Sequence, residues 1–234
     1  MDEPRCDPEY SMAMNSIQTV VCTHGFLSHA AALFLIKRRL EKEYGLRALL
    51  FSYPSVRGTL DENATALAQF IHAQGLTGAH IIGHSLGGVV ALRMLANDSD
   101  AVPGRVVCLG SPLTGSRTGE FLSRQGWVQQ IMGRSLSVDV LGEAANDWAT
   151  HVCHEREIGI IAGTVPLGFG QLVADFDGPN DGTVAVSETR LEGAKDHLVM
   201  SVSHKGLLVS RDVADQAAAF LIRGEFLREP TDRL

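Results

Sequence analysis

Nowhere in the 234 residues do eighteen apolar residues follow one another, so nothing in the chain reads as a bilayer-spanning helix or as a stably inserted membrane segment. Cysteine is scarce: four residues, at 6, 22, 108 and 153, with no C-x-x-C spacing among them. That pattern excludes a disulfide framework and a zinc ribbon. Cys22 and Cys108 fall inside apolar stretches, where a thiol acts as a small, inert hydrophobe. Positive charge is also short. Twenty Lys and Arg face 27 Asp and Glu, a net charge of −7, and the longest basic cluster is Lys37-Arg38-Arg39. Nucleic acid and anionic membrane are therefore poor partners, and the cluster reads as the wet face of an amphipathic helix. The opening MDEPRCDPEYSMAMN is acidic and proline-broken, with no apolar stretch of signal-peptide type. A cytoplasmic address is expected.

What is present is an ordinary globular composition, 45% hydrophobic and 20% charged, in a length that suits one domain over residues 1–234. IQTVVCTHGF reads as a buried strand, and apolar residues from Ser28 to Glu43 recur at helical spacing up to Gly45. LRALLFSYP is a second strand, followed by a helix over ENATALAQFIHAQ with Asp61 as its cap and Gly75 as its stop. AHIIGHS, GRVVCLGSP, REIGIIAGT and DHLVMSVS make four more strands, with helices over LGGVVALRMLAN and RDVADQAAAFLIRG. Strands nearly continuous in Val, Ile and Leu that alternate with helices imply an α/β fold with a mostly parallel sheet covered on both faces. One interval, 113–150, breaks the rhythm and reads as an inserted cap or lid. Its stripe Val128, Ile131, Met132, Leu136, with Trp127 beside it, fits a lid opening on lipid and fits a core helix, which is the default for such stripes.

The third strand ends on Gly83-His84-Ser85-Leu86-Gly87, a G-x-S-x-G between an apolar strand and a helix. A sharp strand-to-helix turn strains its central residue and lifts that side chain off the sheet. Side chains two before and two after it are expected to collide, hence the two glycines. A serine so presented needs a base, and the base an orienting acid. Of nine histidines, His29 and His72 read as packing or surface residues, His80 begins a strand, and His84 packs or bonds locally. His151 and His154 form an H-x-x-H without a third ligand at a familiar spacing, so no metal site is expected. His204, just beyond the last strand at the edge where Ser85 stands, is favoured over His197 inside it. Asp181, in the turn-rich GPNDGTVAVS, is the preferred acid, with Asp175 and Asp177 in reserve. Read as a calcium loop from Asp175, the segment has Asn180 where glycine is needed and Val186 where glutamate is needed, which rules that out. Oxyanion donors are expected from the amides of Leu86 and of Phe26 in the HGF turn, with His24 bracing that turn.

Four stretches, THGF, GHSLGG, PNDGTV and VSHKGLL, in this order, resemble the α/β-hydrolase superfamily, in its lipase-like branch. The likeness is to bacterial lipases and to esterases related to inositol deacylases, in which an N-D-G segment supplies the acid. It implies an α/β-hydrolase fold, trimmed to about six strands because nothing before Ile17 accommodates the two amino-terminal strands. Position by position it assigns Ser85 as nucleophile, Asp181 as acid, His204 as base, and Phe26 and Leu86 as oxyanion donors. The segment after the fourth strand becomes a small helical cap. The implied activity is hydrolysis of small-molecule or lipid carboxylic esters through an acyl-enzyme, without cofactor or metal. The same three groups permit acyl transfer or thioester cleavage. A non-catalytic binding module on the same fold would need none of them.

Overall fold

The computed structural model describes residues 18–98, 104–114, 143–167, 176 and 178–228. In chain order, β1 (Thr19–Thr23) passes through a 3-10 turn (Ala30–Leu33) into α1 (Phe34–Tyr44), β2 (Arg47–Phe51) into α2 (Leu60–Ala73), and β3 (His80–His84) into α3 (Leu86–Asn97). Then come β4 (Val106–Leu109), α4 (Glu143–Glu155), β5 (Ile158–Gly163), a 3-10 turn (Val186–Thr189), β6 (Asp196–Met200), the short α5 (Gly206–Val209) and α6 (Arg211–Arg223). The six strands form one sheet in the order β2-β1-β3-β4-β5-β6, and every pairing is parallel. Among the described residues no helix is long and apolar enough to cross a membrane.

The apolar strands divide by alternation. Val21, Ile81, Cys108 and Ile160 face α2, α3 and α4, while Val20, Ile82, Val107 and Ile161 face α1 and α6. Side chains of successive strand residues point to opposite faces, so a sheet buried on both sides is apolar on both, with buried polar residues such as Thr23, His80 and His84 at strand ends. The buried thiols behave as hydrophobes: burial raises Cys22 and Cys108 to about 12.

Helix ends follow local chemistry, with one correction. Gly45 closes α1 in the left-handed conformation at φ +67°. Asp61 does not cap α2. Thr59 does: its hydroxyl accepts from the Glu62 amide, while the Glu62 carboxylate accepts from the Thr59 amide. This reciprocal pair satisfies two orphan donors and leaves Asp61 inside the first turn. There it binds Arg93 of α3 at 2.6 Å. The basic cluster lies on α1, where Lys37 pairs with Glu41 and Arg39 with Asp215 of α6. Of the interval expected as a cap, residues 115–142 lie outside the described ones, Trp127 and its apolar stripe included. Its last residues open α4, which buries Ala149 and Val152 beside α3.

Candidate active site

The chain leaves β1 toward β2 and leaves β3 toward β4, on opposite sides, so a crevice opens between the loops that follow β1 and β3. Ser85 stands in it, at the junction of β3 and α3, with φ +54° and ψ −125°. Among the described residues only Leu27, in the facing turn, shares a positive φ without being glycine. Such a conformation costs about 1–3 kcal/mol and persists only when its surroundings hold it. Here the Ser85 amide donates to the Leu109 carbonyl at 2.9 Å, and the Ser85 carbonyl accepts from the Gly88 amide at 3.1 Å.

The flanking glycines are also hemmed in by their surroundings. A Cβ on Gly83 would lie 2.4 Å from the Gly88 Cα, and one on Gly87 would lie 2.6 Å from the carbonyl oxygens of Thr23 and His24. Each clash is with backbone, of α3 for Gly83, and of Thr23 in β1 and His24 just after it for Gly87. Thr23 seals the seam, its hydroxyl donating to the Gly87 carbonyl at 2.9 Å.

The turn after β1 presses against this elbow: a Cβ on Gly25 would come 2.9 Å from the Ser85 Cβ. His24 braces the turn. Its Nδ1–H donates to the Gly25 carbonyl at 2.8 Å, its Nε2 accepts from the Tyr53 amide at 3.3 Å, and the Tyr53 hydroxyl donates to the His24 carbonyl at 2.7 Å. Burial lowers the His24 pKa, which keeps the ring neutral. Phe26 and Leu86 directly follow Gly25 and Ser85. Among the described residues neither of their amides donates to another backbone group.

Asp181 belongs to the GPNDGTV turn between β5 and β6 and is shaped by bonds to its own loop. Oδ1 accepts from the Thr183 amide at 2.9 Å and the Val184 amide at 2.8 Å. Oδ2 accepts from His204 Nδ1 at 2.7 Å, and the His204 amide donates to the Asp181 carbonyl at 2.8 Å. The carboxyl group is 1% exposed. A carboxylate only accepts, so Nδ1 carries the ring proton and Nε2 is left with its lone pair. His197 is committed elsewhere. Its Nε2 donates to the Thr189 hydroxyl at 2.9 Å, and that hydroxyl donates to the Val186 carbonyl at 2.8 Å. Asp175 and Asp177 lie outside the described residues.

Asp181 and His204 are thus brought into direct contact. No hydrogen bond joins the Ser85 hydroxyl to His204 among the described residues. The elbow and the His204 loop meet through His84, whose Nε2 donates to the His204 carbonyl at 3.0 Å. Two further site features were not anticipated. Gly110, at φ +55°, floors the Asp181–His204 pair: a Cβ there would lie 2.9 Å from Asp181 Oδ2 and 3.3 Å from His204 Nδ1. Gly163 backs Asp181, with a Cβ 2.9 Å from that of the aspartate. The available signal was a glycine ending each of two apolar strands, CLG and IIAG.

Chemically, the set joins a hydroxyl on a strained turn, an imidazole with one nitrogen tied to a buried carboxylate, and the amino end of α3, whose dipole favours negative charge. No group of three His, Cys, Asp or Glu gathers as a metal site among the described residues.

A family model described as alpha/beta hydrolase family matches residues 20–228. A search of curated proteins returns no match. Among solved structures, the mature form of the lipase BlEst2 of Bacillus licheniformis aligns with a TM-score of 0.67 at 18% identity, over 94% of both chains. The lin2722 product of Listeria innocua aligns at 0.61 and 16%, over 92% of this chain and 97% of its own. The metagenomic carboxyl esterase MGS0156 aligns at 0.61 and 17%, over 80% and 64%. At these identities the likeness is one of fold.

Proposed function

The chain belongs to the alpha/beta hydrolase family, and from that premise we propose that it is a serine hydrolase of carboxylic esters working through an acyl-enzyme. The observation that carries the proposal is the 2.7 Å bond between Asp181 Oδ2 and His204 Nδ1, on the same sheet edge as the strained Ser85. In this reading Ser85 Oγ attacks the ester carbonyl carbon while His204 Nε2 takes its proton. Asp181 keeps Nδ1–H in place and stabilises the imidazolium that forms. The amides of Leu86 and Phe26 receive the developing oxyanion. His204 returns the proton to the departing alcohol, leaving the acyl group on Ser85. Water then gives a proton to His204 as it attacks, and His204 passes that proton to Ser85 Oγ as the acyl–oxygen bond breaks and the acid leaves.

The lipase and esterase fold neighbours support ester substrates over other acyl compounds. Labelling with a fluorophosphonate probe tests the reading: the wild-type protein should label, and Ser85→Ala should not. A variant that labels as fast as wild type would remove Ser85 from the role. Rates on nitrophenyl esters from acetate to palmitate then define the acyl preference.

A further inference from the structure

His84 adjoins the nucleophile, yet no step of the proposed reaction uses it. It closes β3, buried, with its ring centroid 4.6 Å from that of His204 and the two planes inclined by 48°. Its Nε2 lies 3.0 Å from the His204 carbonyl oxygen. A carbonyl only accepts, so Nε2 carries the proton and Nδ1 has a bare lone pair. Nδ1 is buried without a hydrogen-bond partner among the described residues, and it faces the turn after β1, where a Cβ on Gly25 would come within 3.2 Å. A buried polar ring with one unmatched nitrogen is costly, so an apolar residue would be the cheaper filler unless the other nitrogen performs a task.

That task is legible in what holds His204. The peptide on the amino side of its Cα is fixed by its N–H on the Asp181 carbonyl at 2.8 Å. The peptide on the carboxyl side is fixed by its C=O on His84 Nε2, and the ring is fixed at Nδ1 by Asp181. With both peptides and one ring nitrogen held, the position of Nε2 follows. His84 is the member of this set that adjoins the nucleophile, so its bond to His204, 120 residues away in sequence, ties the base to Ser85.

We propose that His84 is a positioning residue: its Nε2–H on the His204 carbonyl and its ring against the His204 ring set where the base stands relative to Ser85. The role rests on the serine-hydrolase reading. It requires the neutral ring, since an imidazolium at 84 would repel His204 as that residue takes its proton. Burial, then the neighbouring His204, pushes the His84 pKa down to about 3, so neutrality holds at any ordinary pH.

The test compares His84→Gln, whose amide nitrogen reaches the place of Nε2, with His84→Asn, whose amide stops near the place of Nδ1, and His84→Leu, which fills the volume without a donor. Measurements are nitrophenyl-ester kinetics, the rate of fluorophosphonate labelling, thermal melts, and the low-field proton resonance of the His204–Asp181 bond. The Leu and Asn variants should lose about 10- to 100-fold in kcat and labelling rate with KM little changed, the scale of a small misplacement of reacting groups. Their low-field resonance should broaden, and the Gln variant should recover most of the rate and a sharp signal. Equal rates across the Leu, Asn and Gln variants, or a Gln variant as slow as Leu, would overturn the role. If the Leu variant gives no cooperative melt, Gln against Asn decides. Wild-type protein that fails to label refutes the serine-hydrolase reading itself, whereas labelling at wild-type rate in the Asn and Leu variants refutes His84 alone.

Discussion

His204 grips Asp181 twice, through the main chain at 2.8 Å and through the imidazole at 2.7 Å. The double hold matters because the two residues lie on separate loops, one before β6 and one after it. A side-chain bond alone would leave the loops free to slide. The backbone bond removes that freedom.

Replacing Asp181 by Asn should therefore preserve the fold and spoil the chemistry. An amide can present N–H toward Nδ1 and drive the imidazole into the wrong tautomer. A fall in kcat of about 10⁴-fold is expected, with KM and the melting temperature little changed. Near wild-type turnover would remove Asp181 from the acid's role.

Gly110→Ala should harm the same pair from below. The added methyl would stand 2.6 Å from Leu207 Cδ1 and 2.9 Å from Asp181 Oδ2, at a backbone φ of +55° that alanine resists. Leu207 can yield, but the carboxylate is pinned by two amides, so His204 must shift. A loss of activity of about 100-fold or more is expected, with a drop of about 1–3 kcal/mol in unfolding free energy from the backbone strain. Ester kinetics and urea melts of the variant measure both.

Acid should weaken the fold partly through His80. Its Nδ1 accepts from the Arg105 amide at 2.9 Å, and burial, followed by the Arg105 charge, lowers its pKa from 6.5 to about 4, against a smaller opposing pull from Glu157. The unfolded chain then binds the proton more readily than the folded one. The contribution is complete above the unfolded value near 6.5 and drains away as pH falls toward about 4, by a total on the order of 3 kcal/mol. His80→Asn keeps an acceptor near Nδ1 and cannot titrate. Its melting temperature should fall less steeply than that of wild type over this window. Parallel curves would exclude His80 as a source of the acid sensitivity.

Thr59→Ala removes the reciprocal cap of α2. The expected cost is about 1 kcal/mol, read as a lower urea midpoint at unchanged slope, with rates on nitrophenyl esters unaffected. Asp61→Ala should instead act through its pairing with Arg93, an exposed contact worth a fraction of that.

The contrast between Thr59 and Asp61 was written locally: both have capping side chains, but only Thr59 has a glutamate three residues on, Glu62, to close the reciprocal cap, whereas Asp61 is followed at that spacing by Ala64. Elements defined by apolar runs were legible for a firmer reason: a strand buried on both faces keeps its polar residues to its ends, so β1, β3, β4 and β5 announce themselves. The elbow was legible as a motif, but the long-range contacts of its glycines were not: Gly87 lies against the carbonyls of His24 and Thr23, 63 and 64 residues earlier in the chain. The same holds for His84 and Gly110, whose significance lies in contacts with residues 204 and 181 that no local pattern encodes. Local propensity is written in neighbours; close approach is written in topology.

Ser85 carries a backbone torsion that glycine would adopt without penalty. It follows that the polypeptide would hold together better without a side chain here: Ser85→Gly should melt at a higher temperature while losing turnover. If Ser85 is the nucleophile proposed above, stability and reactivity pull on this one position in opposite directions.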